Sequence, residues 1–256
     1  MTRTPAVRAG LYLLASLAVF VLTSLIPSEL TSALVRLVFV LLLCAVEGLT
    51  FGKRTLPFPL LPTKKSLPTF FFFPVFLFIT LAVNLISAYL VRYLGGTLPT
   101  FTRSPATFVS AVLLAPLTEE LLFRGLTLHL FAPYGEKRAM LLSALAFSLA
   151  HASLFQIPYA FAAGLLLAAV ATVGRSLLLP LVFHVAYNLL TYFGGGIPTS
   201  VLLFLTSLAA VAGFSLFLSH RPAYTPKEDV RIPLRECIPF FVYLLLLVYL
   251  TVSAML

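Results

Sequence analysis

The stretch Thr69-Phe-Phe-Phe-Phe-Pro-Val-Phe-Leu-Phe-Ile-Thr-Leu-Ala-Val-Asn-Leu-Ile-Ser-Ala-Tyr-Leu-Val91 decides the fold: it holds no charged side chain. A bilayer core about 30 Å thick takes roughly 20 apolar residues of helix. Eight other stretches approach that length, giving nine: 9–27, 30–50, 69–91, 107–130, 138–154, 159–173, 177–193, 199–219 and 239–256. The fifth, sixth and seventh are short, as for tilted or partly covered spans. All are continuously apolar rather than alternating with period two, which argues against a β-barrel. The chain of 256 residues is 61% hydrophobic and only 10% charged, too little charge to solvate the surface of a soluble fold that size. The expectation is an all-α, polytopic transmembrane bundle of about eight to nine spans, one integral membrane domain over 1–256 with no internal repeat.

The net charge of +9 raises the question of nucleic acid, and its placement answers it. With a cytoplasmic N-terminus, Arg3, Arg8, Lys53, Arg54, Lys64, Lys65, Lys137, Arg138, Arg175, Arg221, Lys227, Arg231 and Arg235 all fall on one side, 13 of the 17 basic residues. The positive-inside rule then gives N-in and, with nine spans, C-out. The basic excess is a topology signal toward the lipid bilayer, and no nucleic-acid partner is expected. The first span follows Arg3 and Arg8 without a small-residue cleavage site, so it reads as an uncleaved anchor. Cys44 and Cys237 offer no disulfide framework or metal spacing and read as packing residues. The loops Gly52–Pro68 and His220–Glu236 are the polar connections on the basic side, and Thr97–Pro105 is a short loop on the other. The phenylalanine run Phe70–Phe73 is expected to face lipid.

Ionisable groups at bilayer depth cost at least about 2.5 kcal/mol each and persist when paired or functional. Of eight acids, three lie within spans: Glu47, Glu119 and Glu120. In Leu114-Ala-Pro-Leu-Thr-Glu-Glu-Leu-Leu-Phe-Arg-Gly125, Arg124 stands four residues after Glu120, the favourable orientation for a helical ion pair. Glu119, about 100° round the helix, is left as the surplus carboxylate. Pro116 removes a backbone donor and is expected to kink the helix. His151 follows Phe147 by one turn, and His184 precedes Asn188 by one turn. Glu47 and Arg36, at opposite ends of the second span, are expected to snorkel to opposite interfaces, with Glu29 a further partner for Arg36. His129 reads as interfacial. Tyr159 and Gln156 lie beside the second motif, where they would line an access path.

The chemistry of such a set is general-base activation of water by a buried carboxylate, with imidazoles sharing the proton and amide or imidazole donors to an oxyanion. A Glu and two His side chains also suit Zn²⁺ with one open position. The residues alone do not choose which histidine partners the base. No serine elbow, H-E-x-x-H or glycine-rich phosphate loop is present.

The pattern E-E-x-x-x-R, F-x-x-x-H and H-x-x-x-N on three spans resembles the CAAX-protease and bacteriocin-processing (Abi) family of intramembrane proteases. The carriers are Glu119-Glu120-Leu-Leu-Phe-Arg124, Phe147-Ser-Leu-Ala-His151 and His184-Val-Ala-Tyr-Asn188, with Phe161–Gly164 and Gly174–Pro180 also similar, within a core of about 105–195. The resemblance implies a membrane-embedded endopeptidase in which Glu119 and His151 activate water. His184 and Asn188 would stabilise the oxyanion, and Glu120, Arg124 and Phe147 would support the site. It leaves open a metal-free site or a divalent metal such as Zn²⁺ on Glu119, His151 and His184. The substrate would be a peptide or membrane-protein segment, including prenylated tails, and the location a bacterial or archaeal inner membrane. Two other classes fit the same residues. A non-enzymatic scaffold or bacteriocin-immunity protein would keep the constellation for packing. An ion-coupled transporter would use it as a proton relay, although no half-repeats are visible.

Overall fold

The structure is a computed structural model, describing residues 4–51, 61–64, 66–98, 102–220 and 230–253. Arg3, Lys53, Arg54, Lys65, Arg221 and Lys227, used above for topology, lie outside the described residues.

Among the described residues, nine helical rods occupy the nine apolar stretches. They are α1 Pro5–Thr23, α2 Glu29–Phe51, α3 Leu67–Tyr93, α4 Pro105–Tyr134, α5 Glu136–Leu149, α6 Gln156–Gly174, α7 Leu178–Phe193, α8 Thr199–His220 and α9 Leu234–Ser253. All but α5 and α7 are long and apolar enough to cross a membrane, so seven candidate spans are present among the described residues. At about 1.5 Å per residue, the 14 residues of α5 reach roughly 21 Å and the 16 of α7 roughly 24 Å, short of a bilayer core. The chain is a multi-pass helical membrane protein, as its apolar runs imply.

Local chemistry sets the helix ends around the site. Ser104 caps α4 by accepting from the Thr107 backbone N–H at 3.0 Å, and Pro105 occupies the first helical turn, where its missing donor costs nothing. Gly135, at φ 120°, turns the chain from α4 into α5. Helix α5 ends at Leu149, two residues before His151, and Ala152 has φ 46°. His151, expected inside a fifth span, therefore sits on the turn into α6. Backbone bonds from His151 N–H to Ser148 and from Ala152 N–H to Leu149 tighten that turn.

Helix α4 is irregular where the sequence places Pro116. Residues 108–114 and 120–127 wind as π-turns on either side of the short α-helical stretch Ala115–Glu119. Such widened turns recur at functional positions because they re-aim side chains. Here the second one begins at Glu120.

Two apolar cores flank α4, one containing Leu13, Phe123, Phe131, Phe147, Phe240 and Tyr243, the other Phe76, Leu167, Leu179, Phe183 and Tyr187. Helix α1 packs on α2 and α9, α5 on α6, and α3 on α6 and α8. The phenylalanine run does not simply face lipid. Phe73 and Phe70 stack edge-on against Phe183 at 4.9 and 5.9 Å, and Phe72 meets Phe217 at 5.4 Å. A residue run on one helix entry reaches several neighbours, so only part of it is left for the bilayer.

Two charged residues depart from the snorkelling expectation. Glu47 is buried, paired with Arg8 of α1 at 3.0 Å and accepting from the Tyr12 hydroxyl at 2.8 Å. Arg36 donates Nε–H to the Thr23 hydroxyl at 2.7 Å and lies over the Phe20 ring. Glu29 takes a different partner, the Thr107 hydroxyl, at 2.9 Å. Both deviations have one cause: α1 packs against α2 and offers partners nearer than either interface. Cys44 and Cys237 are buried and free.

Candidate active site

Helix α4 supplies Glu119, Glu120 and Arg124, and the helical pitch separates the two carboxylates. Glu120 turns inward, its side chain only 3% exposed, while that of Glu119 is 23% exposed and reaches open space. Arg124 is fully buried and donates from Nη1 to Glu120 Oε1 at 2.9 Å, and from Nη2 to the Gly164 carbonyl of α6 at 3.1 Å. Its guanidinium also covers the Phe147 ring at 4.5 Å. The α5–α6 approach that permits this depends on Gly164: a Cβ there would meet Phe147 Cδ1 at 2.9 Å and Ala144 Cα at 3.2 Å.

His184 of α7 stands between the two glutamates. Its Nδ1 lies 2.8 Å from Glu120 Oε1, and its Nε2 lies 3.6 Å from Glu119 Oε2. Glu120 Oε1 already accepts from Arg124, and with the same oxygen as acceptor Nδ1–H donates and Nε2 is the nitrogen turned toward Glu119. Adjacent residues on one helix thus meet a single imidazole because its two nitrogens lie on different edges of the ring. Glu119 and Glu120 carry two negative charges against one on Arg124.

His151 is tied in the same sense. Its Nδ1 donates to the Phe147 carbonyl at 2.9 Å, leaving Nε2 uncommitted among the described residues. The Phe147 ring lies edge-on to both histidines, at 5.0 Å from His151 and 5.7 Å from His184. Asn188, one turn after His184, donates its amide to the Ala111 carbonyl at 2.9 Å.

Glu119, His151, His184 and Asn188 line one cavity of about 430 Å³, together with Phe147, Gln156 and Tyr159. Aromatic rings from α3, α6 and α7 form much of its wall, including Phe76, Tyr159 and Tyr187, and Asn84 donates to the Tyr187 hydroxyl at 2.8 Å. Glu119 also borders a second cavity, of about 480 Å³, whose wall includes Arg36, Glu29, Ser32 and Thr118. Ala111 borders both.

Among the described residues no three His, Cys, Asp or Glu side chains gather closely enough to hold a metal ion, Glu119, His151 and His184 included. Sharing a cavity wall is a looser condition than converging on one ion. Sequence reasoning also missed three participants: Arg36 beside Glu119, the Gly164 carbonyl and the Ala111 carbonyl. Arg36 carried a signal, being a cation within a span with no acid one turn away. The two carbonyls carried none, because every residue has one.

No curated protein and no solved structure matches the chain. Residues 101–190, the stretch running from the Ser104 cap past Asn188, match the Rce1-like family of type II CAAX prenyl endopeptidases.

Proposed function

We propose that the chain is an intramembrane endopeptidase of the CAAX prenyl type, cleaving a peptide bond with water activated by Glu119. One observation carries the reading: Glu119, His151, His184 and Asn188, drawn from α4, the α5–α6 turn and α7, line a single cavity. The family match supports the reaction class, a membrane protease acting on a peptide or protein substrate.

In this reading the Glu119 carboxylate takes a proton from water, with the uncommitted Nε2 of His151 as second acceptor. The hydroxide oxygen attacks the scissile carbonyl carbon. The C–N bond breaks as Glu119 returns the proton to the departing amine. Protonated His184 turns Nε2–H toward the oxyanion, and the second amide hydrogen of Asn188 joins it. Glu120 holds His184 through Nδ1–H, as the carboxylate of a Ser-His-Asp triad holds its imidazole. Glu120 is then more than a brace, while Arg124 holds its carboxylate in place. The aromatic wall suits an isoprenoid, so the substrate we favour is a prenylated C-terminal tail. We place the site in a core of about 105–195 within one integral membrane domain. The placement we favour is the inner membrane with the N-terminus cytoplasmic, on the strength of the basic residues.

The test is turnover of an S-farnesylated Cys-Val-Ile-Ala peptide by purified protein in detergent. Glu119→Gln is expected to lower it by at least about 10²-fold while thermal stability is kept. Hydrolysis at the wild-type rate by that variant would overturn the mechanism.

A further inference from the structure

Three charged side chains border the cavity between α2 and α4: Glu29 and Arg36 of α2, and Glu119 of α4. No two of them form a salt bridge with each other. Arg36 uses two of its five N–H groups, Nε on the Thr23 hydroxyl and Nη2 on the Phe20 carbonyl. Charges within spans that lack a direct partner persist where water solvates them.

The hydroxyl hydrogens on this wall are spent inside the protein. Ser32 donates to the Glu29 carbonyl, Thr107 to the Glu29 carboxylate and Thr118 to the Leu114 carbonyl. Their oxygens keep lone pairs, so the wall offers carboxylate and hydroxyl acceptors beside guanidinium donors. An anion would meet two carboxylates there, and a cation would meet the guanidinium. Water both donates and accepts. The volume of about 480 Å³ is many times the roughly 30 Å³ that one water takes in the liquid.

The lining also has a direction. On α2, Glu29, Ser32 and Arg36 follow one another at helical spacing, and on α4 so do Thr107, Ala111, Ala115 and Glu119. Glu29 and Thr102, at one end of these rows, are exposed, whereas Glu119 lies midway along α4. The other cavity reaches the same carboxylate, and of the two it alone is lined by His151, His184 and Asn188. A peptide placed for attack has to occupy that second cavity, where it displaces water. Glu119 then meets solvent through the α2–α4 side.

We propose that the α2–α4 cavity is a water-filled passage that supplies the hydrolytic water to Glu119 while the peptide fills the other cavity. Each turnover consumes one water: its oxygen and one hydrogen go to the new carboxyl group, and the other hydrogen goes to the released amine. The site must therefore be refilled in every cycle. The supply role rests on the endopeptidase reading, whereas the hydration of the passage does not.

Thiol labelling separates the two. Single cysteines replace Ala33 in the passage, Gln156 in the other cavity, or Leu42, exposed on α2, in a chain carrying Cys44→Ala, Cys237→Ala and Glu119→Gln. The probe is a water-soluble, cationic methanethiosulfonate, which reacts with thiolate and so only where water lets the thiol ionise. In lipid nanodiscs, with both membrane faces open to the reagent, Ala33→Cys is expected to react at least about 10²-fold faster than Leu42→Cys. Saturating S-farnesyl Cys-Val-Ile-Ala peptide is expected to slow Gln156→Cys by about tenfold and to leave Ala33→Cys within about twofold. Ala33→Cys as slow as Leu42→Cys overturns the water-filled passage. Peptide that shields Ala33→Cys as strongly as Gln156→Cys overturns the division between water and substrate.

In the active chain, Ala33→Leu narrows the passage and is expected to lower kcat about tenfold with KM unchanged, while Ala33→Ser keeps both. Unchanged kcat in Ala33→Leu, or an equal loss in Ala33→Ser, overturns the supply role. A fast-reacting Ala33→Cys, in a chain whose wild type hydrolyses nothing, keeps the passage and removes the protease reading. Hydrolysis by a wild type whose Ala33→Cys is unreactive does the reverse.

Discussion

Asn188 of α7 donates its side-chain amide to the backbone carbonyl of Ala111 in α4, 2.9 Å away. The carbonyl is free because of Pro116. Along this stretch of α4 the backbone bonds run five residues back, from Ala115 N–H to the Ser110 carbonyl. The next donor in that series would be residue 116, and proline has none. Asn188 takes the vacant acceptor and ties α7 to α4 at Ala111, eight residues before Glu119.

Replacing Asn188 by Leu should therefore cost about 1–3 kcal/mol through an unsatisfied carbonyl. In a Pro116→Ala background the restored N–H competes for Ala111, and the cost of Asn188→Leu should fall by at least about 0.5 kcal/mol. A double-mutant cycle read by thermal unfolding in detergent measures the coupling. Additive effects would break the link between Pro116 and Asn188.

Glu120→Gln leaves Arg124 fully buried with no carboxylate and gives His184 Nδ1 a neutral amide oxygen in place of a charged acceptor. The expected loss is about 3–5 kcal/mol, the range for breaking one side of a buried pair. Glu119→Gln should cost much less, since its side chain borders open cavity. Comparing the melting of the two variants checks the difference, and equal destabilisation would contradict the division of roles between the carboxylates.

Gly164→Ala places a methyl 2.9 Å from Phe147 Cδ1 and 3.2 Å from the Ala144 backbone. Overpacking of this kind costs about 1–3 kcal/mol. Displacing Phe147 also disturbs both histidines and the Arg124 stack, so turnover should fall more than stability alone explains. Activity and melting temperature measured on one preparation decide this.

Glu47→Gln removes the charge that Arg8 and Tyr12 share between α1 and α2. The site lies elsewhere, so the expectation is a stability loss of about 1–3 kcal/mol from the weakened contacts to Arg8 and Tyr12, with kcat retained. A variant that melts like wild type would mean the pair is solvated.

Much of the fold was legible because a bilayer leaves few alternatives: backbone groups in hydrocarbon must bond within a helix, so each apolar run had to be one. Of the three runs that read as short, the fifth and seventh became α5 and α7, while the sixth became α6, which at 19 residues is long enough to cross. The Glu120–Arg124 pair followed from helical pitch alone. The burial of Glu47 and the position of Arg36 did not, because their partners lie on α1, outside their own helix.

The sequence by itself determined a multi-pass helical membrane protein, three motif-bearing segments and one carboxylate that local pairing could not explain. Only the tertiary structure decided that His184 contacts both glutamates, that His151 lies on a turn, that Asn188 answers Pro116, and that Glu119 divides two cavities. Periodicity and spacing act along one helix. Contacts between α2, α4 and α7 depend on how separate helices pack, and that packing is set by all their side chains together.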